Sequence, residues 1–528
     1  MASSTEIESR TLRPALIFAL AFLAVFVLHI PLLRLPYFWD EAGYYVPAAR
    51  DLLLSGSLIP HSTPSNAHPP LVMAYLALCW KILGYSPLVT RTAMLLISAF
   101  SVAGVFRLAQ RVANTEVAVA STICTALYPV FFAQSSLAHL DLAAGGLTLW
   151  ALGSYVEQRR GQTVVWFSLA VLAKETAVLA PLALLAWEVM CPVLQRGQRD
   201  ESVYPSRRSW KSTLLLVPLL PLSLWYGYHY LRTGIVFGNP EFFRYNVQET
   251  LHPLRVFLAL LVRLWQALGY QDLYLLTLAT VFAMWRPPIH DASGPRRKIA
   301  LHVQFAFLAV IVSYVVFMAM VGGAVLARYM LPVVPLVIII GVSTLRRRVQ
   351  VWRWVVAIVA LAFVVGLFVN PPYGFSPEDN LAYRDYILLH EHAENFVEAR
   401  YPMARVLTAW PASDELTRPY LGYVTRPMRV LRIEDFTVEQ LMSTADFRSR
   451  FDVALVFSTK YEPPHPLFVD WPIWIEWKTR FFGWHRDVPP SAAAQLLGGQ
   501  LVYTERRRGQ WVGVIELERV VEARKLMP

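Results

Sequence analysis

Cysteine is scarce in this sequence, which has only three among its 528 residues. Cys79, Cys124 and Cys191 lie in or beside apolar segments and far apart, and none has a second cysteine at the spacing of a zinc-binding pair. This pattern argues against a disulfide framework, and it leaves the redox compartment open.

Charged residues are also sparse, at 16% of the chain, whereas 56% is hydrophobic and 13% is aromatic. This composition is typical of a polytopic membrane protein. The formal net charge is +11, but residues 371–528 contain 19 Lys and Arg against 21 Asp and Glu, and residues 1–370 contain 29 against 16. The basic excess therefore lies in the apolar part, where it sets membrane topology and meets anionic lipid, and we expect no nucleic-acid binding.

Residues 371–528 lack a P-loop, a GxGxxG motif, an HExxH motif and a nucleophile elbow. Instead, short apolar runs alternate with helical patterns near 412–422 and 437–448, and the runs lie at 404–410, 428–433 and 452–458. We therefore predict a soluble C-terminal α/β domain with a partly parallel sheet, a final hairpin around Arg508-Gly509, and no chemistry of its own. Ser376, followed by Pro377 and two acidic residues, predicts the start of its first helix.

Long apolar runs dominate residues 1–370. Pro14–Leu33 follows a polar N-terminus and precedes no signal-peptidase site, so we predict an uncleaved first span with a cytoplasmic N-terminus. Residues 254–269 resemble an interfacial amphipathic helix or part of a longer span. About 11 transmembrane helices are predicted in all, the later ones at 87–109, 116–133, 137–155, 163–176, 177–191, 212–231, 270–286, 299–321, 324–345 and 351–369.

Basic residues alternate between successive loops of this predicted membrane domain. The loops that carry them are predicted to be cytoplasmic, and they contain Arg107/Arg111, Arg159/Arg160, Arg196/Arg199/Arg207/Arg208/Lys211, Arg286/Arg296/Arg297/Lys298 and Arg346/Arg347/Arg348. The first outer loop, residues 34–86, then shares the outer face with residues 371–528. We accordingly predict a multi-pass protein of the inner (plasma) membrane with an extracytoplasmic C-terminal domain.

An acidic pair, Asp40 and Glu41, follows the first span. A carboxylate pair at a membrane face is costly unless it is solvated or used, so both are candidate catalytic residues. The alternative is that Asp40 only caps a short surface helix and that Glu41 only interacts with the dipole of that helix.

His68 precedes Pro69, Pro70 and Leu71, which open another apolar helix. Two prolines are tolerated in a first helical turn, so they hold His68 at the membrane boundary. Its side chain could contact substrate, or it could simply cap the helix.

Further charged residues are predicted at the outer ends of later spans. His139 and Asp141 open the fourth span, and Asp141 is either a functional carboxylate or a local cap. Lys174 and Arg328 could stabilise the phosphate of an anionic leaving group. The alternatives are an ion pair of Lys174 with Glu175 or Asp141, and snorkelling of Arg328 to the interface. Together these residues favour a single outward-facing polar cavity.

Four sequence segments resemble the GT-C glycosyltransferases of the protein O-mannosyltransferase and aminoarabinose-transferase type. They are FWDEAGYYVPAARDLL with the later HPPL, LAKETAVLAPLALLAW and ARYMLPVVPLVIII, and the resemblance covers about residues 14–345. It implies a polytopic GT-C fold that transfers a sugar from a polyprenyl-phosphate carrier to a lipid, glycan or protein acceptor on the outer face.

Residue by residue, the resemblance implies that Asp40 is the catalytic aspartate, with Glu41 as a following acidic position and Asp141 as a second carboxylate. The Lys and RY..P motifs map onto Lys174, Arg328 and Tyr329. Metal use varies across such enzymes, and no ligand set in the sequence compels a divalent metal.

Two positions depart from the pattern. Aminoarabinose transferases carry a phosphate-contacting arginine three residues after the aspartate, where this chain has Gly43. The basic residue before the PPL element, often lysine, is His68 here. Phosphate binding would then depend on Arg328, Lys174 and His68, and the sugar could differ from aminoarabinose.

The competing hypothesis is a non-enzymatic transporter or lipid flippase, for which internal repeats and broken helices at mid-bilayer would be expected.

Overall fold

The computed structural model describes residues 14–194, 210–292, 294–463 and 471–517. Four arginines of one predicted cytoplasmic loop, at 196, 199, 207 and 208, lie outside these residues. The described chain is mainly helical, with one five-stranded sheet near its C-terminal end.

Nine helices form the first part of the chain. Their starts follow local sequence signals: in α4 the Ser86 side chain accepts a hydrogen bond from the Val89 N–H, and Pro87 occupies the first helical position. The bounds are α1 Pro14–His29, α2 Val46–Ser55, α3 Leu71–Leu83, α4 Pro87–Val112, α5 Thr115–Leu127, α6 Pro129–Gln134, α7 Leu140–Val156, α8 Arg160–Ala173 and α9 Leu179–Leu194.

Seven helices and a minimal two-stranded ladder form the next part. The helices are α10 Leu219–Thr233, α11 Pro240–Asn246, α12 Pro253–Leu268, α13 Leu273–Met284, α14 Leu301–Met320, α15 Val334–Arg348 and α16 Trp352–Phe368. The antiparallel ladder joins β1 His290–Asp291 to β2 Gly294–Pro295. Helix α12 continues from the segment Phe243–Thr250 after a bend of 104°.

Length and apolarity identify four of the described helical segments as able to cross a membrane, or five if the bent pair is one span. The four are Pro14–Leu32, Pro87–Val112, Ser212–Thr233 and Leu301–Met320. Four further apolar helices, α3, α5, α13 and α16, are shorter. The predicted total of about 11 spans stays a prediction, because most of the remaining helices fall short of this length.

The C-terminal region has the predicted α/β architecture. Its sheet has the order β4-β3-β5-β7-β6, in which β3 pairs in parallel with β4 and β5, and β7 is antiparallel to β5 and β6. The strands are β3 Arg405–Ala409, β4 Arg429–Ile433, β5 Val453–Phe457, β6 Gly499–Arg507 and β7 Gln510–Leu517, and the helices are α17 Ala382–Arg400, α18 Ala412–Thr417, α19 Val438–Ser443, α20 Pro472–Phe482 and α21 Pro490–Leu497.

The first helix of this region begins later than Ser376 predicts. Pro377–Asp379 forms a single 3-10 turn, the backbone is extended at Asn380, and α17 starts at Ala382. Glu378 and Asp379 are therefore not first-turn helix acids. Both are buried, Glu378 against Arg328 and Asp379 against Tyr270.

Aromatic contacts attach the C-terminal region to the loop that carries Asp40. The rings of Trp39 and Trp410 lie edge to face with centroids 5.0 Å apart, and a β-carbon on Gly43 would lie 2.6 Å from Cζ2 of Trp410. The Tyr423 hydroxyl donates a hydrogen bond of 2.9 Å to the carbonyl oxygen of Tyr37. The sheet region thus packs directly behind the predicted catalytic loop.

Candidate functional site

Arg328 is the centre of a buried charge cluster, which we define as Asp40, Asp141, Lys174, Arg328 and Glu378. Arg328 lies in the 3-10 turn Ala327–Met330 that precedes α15, and it is 1% exposed. Its Nη1 donates to Glu378 Oε2 at 2.5 Å, its Nη2 donates to Asp40, and its Nε lies 3.3 Å from Asp141 Oδ2. Contacts with three carboxylates exclude the predicted alternative in which Arg328 snorkels to the interface.

Asp40 is the accessible carboxylate of the cluster. It immediately precedes a π-helical turn, Glu41–Tyr45, and its side chain makes no capping hydrogen bond. The side chain of Asp40 is 20% exposed, whereas that of Asp141 is 3% exposed. The contacts therefore disfavour the capping interpretation of Asp40, and they leave its side chain partly exposed.

Asp141 and Lys174 form the second ion pair of the cluster. Asp141 lies in the first turn of α7, and Lys174 follows the last residue of α8, where the backbone becomes extended. Lys174 Nζ donates to Asp141 Oδ1 at 2.6 Å and lies 4.1 Å from the ring centroid of Tyr329. The internal ion pair considered for Lys174 is therefore present, and it adjoins Arg328.

His68 lies beside the cluster rather than in it. Its Nδ1 is 3.0 Å from Glu175 Oε2, next to Lys174 in sequence. The ring of Tyr45 connects the two groups, since its centroid lies 6.0 Å from that of His68 and 5.9 Å from that of His139. His139 Nδ1 in turn lies 3.1 Å from Arg328 Nη1.

The side chain of Glu41 contacts Arg91 and not Arg328, the partner of its neighbour Asp40. It is fully buried, its Oε1 accepts hydrogen bonds of 2.5 Å from Arg91 Nη1 and from the Ala138 N–H, and its Oε2 accepts one of 2.8 Å from the Phe38 N–H. These contacts give Glu41 a structural role in holding the loop. A catalytic role for Glu41 stays a prediction that this position does not favour.

Three residues near the site were not predicted from the sequence. Glu378 pairs with Arg328, which lies 50 residues earlier in the sequence, and no local sequence pattern predicts such a contact. Arg91 and Arg263 are buried in α4 and α12. A charged residue inside an apolar helix is costly, and this is the sequence signal that marks both as candidate functional residues. Among the described residues Arg263 Nη2 has no hydrogen-bond partner, and the guanidinium lies 5.3 Å from the ring centroid of Tyr329.

Burial changes the protonation of the acids that enter the cluster from the C-terminal region. Burial, together with the nearby carboxylates, raises the pKa of Glu378 to about 8, although Arg328 lowers it. Burial likewise raises the pKa of Asp379 to about 7, although its hydrogen bond from Tyr270 lowers it. Both acids therefore hold their protons more tightly than an exposed carboxyl group does.

A divalent metal has no ready ligand set in this cluster, within the part of the chain that the structure describes. Asp40 and Glu378 each contact Arg328, and Asp141 lies between Arg328 and Lys174. A divalent cation bound here would have to displace Arg328 or Lys174 from these carboxylates.

A small, partly open pocket with ≈ 40 Å³ of interior space lies beside Tyr45 and His68. Aromatic, proline and small polar side chains line it, including those of Tyr44, Met73, Thr63, Asn66 and Trp225. This concave surface, with an apolar wall and a few polar groups, lies next to the charge cluster.

Comparison with known proteins confirms the resemblance to the mannosyltransferase type. The family model described as dolichyl-phosphate-mannose-protein mannosyltransferase matches residues 67–225, which include His68, Asp141 and Lys174. No curated protein sequence matches the chain at a significant level.

Among solved structures, ArnT from Cupriavidus metallidurans is similar, both in the apo state and bound to undecaprenyl phosphate. Each is 14% identical with a TM-score of 0.49, and the overlap covers 95% of this chain and 97% of ArnT. The archaeal oligosaccharyltransferase AglB from Archaeoglobus fulgidus, in complex with an inhibitory peptide and a dolichol-phosphate, is 10% identical with a TM-score of 0.48, over 94% of this chain and 74% of AglB. With TM-scores below 0.5, these overlaps are too loose to transfer a function.

Proposed function

We propose that this protein is a membrane glycosyltransferase that moves a sugar from a polyprenyl-phosphate carrier to an acceptor on the outer face of the membrane. One observation carries the proposal: the partly exposed Asp40 contacts the buried Arg328, in a cluster with Asp141 and Lys174. The match of residues 67–225 to a family that uses a lipid-phosphate sugar donor supports the same class of reaction.

In this mechanism Asp40 accepts the proton of the acceptor hydroxyl, or orients that hydroxyl, through its partly exposed side chain. The acceptor oxygen attacks the anomeric carbon from the face opposite the carrier phosphate, and the C–O bond to phosphate breaks, which inverts the configuration. General-base assistance and stabilisation of the leaving phosphate are the two contributions that the site must make. No covalent intermediate with the enzyme is needed.

The cations around Tyr329 are the proposed phosphate-binding groups. Lys174 and Arg263 lie 4.1 Å and 5.3 Å from its ring centroid, and Arg328 lies 5.8 Å from it. Arg263 forms no ion pair with a carboxylate within the described chain, so its charge is available to a phosphate without breaking an existing pair. The concave surface beside Tyr45 and His68 would then contact the sugar or the first prenyl units.

The test is transfer by the purified, detergent-solubilised protein. A labelled polyprenyl-phosphate sugar is incubated with an envelope extract as the source of acceptor, and released carrier phosphate and labelled product are measured. Asp40→Asn should reduce transfer by about 10²–10⁴-fold, the usual contribution of a general base. Asp291→Asn, which alters an exposed ion pair with Arg296, is the matched control and should keep full activity.

Two results would contradict the proposal. Full transfer by Asp40→Asn would remove Asp40 from the mechanism. Absence of carrier-phosphate release by the wild type, combined with movement of the donor across reconstituted vesicles, would favour the transporter or flippase alternative. Mass spectrometry of envelope glycolipids and glycoproteins with and without the gene would identify the sugar and the acceptor.

A further inference from the structure

A second cluster of ionisable side chains lies within the C-terminal region, which lacks a recognisable catalytic motif. We define it as the His390 cluster: His390, Glu394 and Glu415, which are 1%, 0% and 0% exposed. His390 and Glu394 are four residues apart on α17 and so share one helical face, and Glu415 reaches them from α18. His390 Nδ1 lies 2.7 Å from Glu415 Oε2 and 3.7 Å from Glu394 Oε1.

The hydrogen bonds of this cluster are incomplete. Within the described chain, both carboxylate oxygens of Glu394, Oε1 of Glu415 and Nε2 of His390 are buried without a hydrogen-bond partner. No lysine or arginine of the described residues forms an ion pair with either glutamate. Two buried carboxylates that share a single histidine are expensive, because their charge is removed from water with only partial compensation.

A divalent cation would compensate both charges at once. The cluster offers one imidazole nitrogen and two carboxylate oxygens, all within 4.8 Å of one another, so small side-chain shifts suffice to bring the three atoms around one ion. This mixed nitrogen and oxygen donor set suits Zn²⁺ and related transition metals. A histidine and a glutamate one helical turn apart are a rigid pair of ligands, and the third ligand from α18 would tie two elements together.

We propose that the His390 cluster binds a structural divalent transition metal, with Zn²⁺ as its representative. The ion would fasten α18 to α17 directly behind the loop of Asp40. Tyr386 connects the two places: its ring stacks on His390 with centroids 4.1 Å apart, and it contacts Phe38 and Trp39 at 5.3 and 5.6 Å. Trp410, just before α18, also packs against Trp39. The metal thus acts as a positioning element, separate from the transfer chemistry.

The experiment uses the full-length protein in detergent. Its metal content is measured by mass spectrometry of the purified sample, and its thermal midpoint is measured before chelation, after chelation and after addition of Zn²⁺ alone. We expect one metal ion per chain, a lower midpoint after chelation and recovery with Zn²⁺. Glu394→Gln keeps the shape of the side chain but should lose both the metal and the Zn²⁺-dependent shift.

A matched control distinguishes this site from other acidic positions. Glu505→Gln alters the ion pair of Glu505 with His392, which lies on α17 like His390. This variant should keep the metal and the Zn²⁺-dependent shift of the thermal midpoint. The proposal fails if the wild type carries no metal and shows no Zn²⁺-dependent shift, in which case the two carboxyls share a proton. It also fails if Glu394→Gln retains the metal, because the ion then lies elsewhere. The wild-type measurements decide the matter even if the variant does not fold.

Discussion

The adjacent acids Asp40 and Glu41 pair with different arginines, Arg328 and Arg91. We therefore expect substitution of Asp40 to affect mainly activity and substitution of Glu41 to affect mainly stability. Glu41→Gln leaves Arg91 buried without its carboxylate, so we expect a loss of on the order of 3 kcal/mol in unfolding free energy. Asp40→Asn leaves Arg328 with Glu378 and Asp141, so its loss of stability should be smaller than that of Glu41→Gln. Denaturation in detergent measures both. Equal stability of the two variants would refute the structural role assigned to Glu41.

Glu378 makes the stability of the protein depend on pH. Its pKa is raised from 4.5 to about 8, and that of Asp379 is raised to about 7, so the folded protein holds protons that the unfolded chain has already lost. Stability should therefore fall as pH rises from about 5 to about 8, and level off above that. Thermal midpoints across this range should decline less steeply for Glu378→Gln than for the wild type.

Glu462, which is partly exposed and pairs with Arg486, provides the control for this pH series. Glu462→Gln removes a partly exposed carboxylate that lies outside the charge cluster, and it should leave the slope of the wild type unchanged. An identical slope for Glu378→Gln and the wild type would mean that Glu378 is ionised in the folded protein.

Four of the five residues of the charge cluster were predicted from the sequence. Asp40, Asp141, Lys174 and Arg328 each stand at the end of an apolar run, where an unpaired charge is costly, and the structure brings all four together. Glu378 was not predicted, because its contact with Arg328 depends on how the C-terminal region docks. The direction of the Glu41 side chain depends on the π-helical turn, which no residue preference predicts.

At the scale of elements, helix α7 offers a test of close packing. A β-carbon on Gly146 would lie 1.9 Å from Oγ of Ser101 on α4, whereas one on Gly153 would meet no atom within 4 Å. Gly146→Ala should therefore cost roughly 1–3 kcal/mol through overpacking, and Gly153→Ala should cost nothing. Thermal unfolding of the two single variants makes the comparison within one helix.

A compensating change checks that the effect of Gly146→Ala arises between these two helices. Ser101→Gly removes the two nearest atoms, Oγ and Cβ, and should restore much of the stability lost by Gly146→Ala. Simple additivity of the two losses would argue against the contact. Small residues that allow close approach are a common basis of helix association in membranes.

The elements themselves follow the sequence closely where periodicity and apolar length are strong. The three predicted central strands at 404–410, 428–433 and 452–458 agree with β3, β4 and β5 to within a residue or two. The start of α17 differs because Glu378 and Asp379 gain more from buried partners than from the dipole of a first helical turn. Tertiary contacts therefore override a helix-start signal whose local contribution is small.

For the whole molecule, the contacts require the Asp40 loop and the C-terminal region to lie on one side of the membrane. Asp40 and Glu378 both contact Arg328, and Gly43 packs on Trp410. In a cysteine-free background, Met403→Cys, which is 75% exposed, should react with an impermeant maleimide in right-side-out vesicles. Arg111→Cys, at the exposed far end of α4, should react only after permeabilisation.

An outward orientation of the site, which the labelling experiment tests, would also decide which class of donor the site can use. An outer-facing site has no access to nucleotide sugars, so under this proposal the sugar would arrive on a lipid carrier and the cations around Tyr329 would bind its phosphate. The reverse labelling pattern, with Arg111→Cys reacting first, would place Asp40 in the cytoplasm. Nucleotide sugars would then be available, and the proposal of a polyprenyl-phosphate donor would lose its physical basis even if the charge cluster were catalytic.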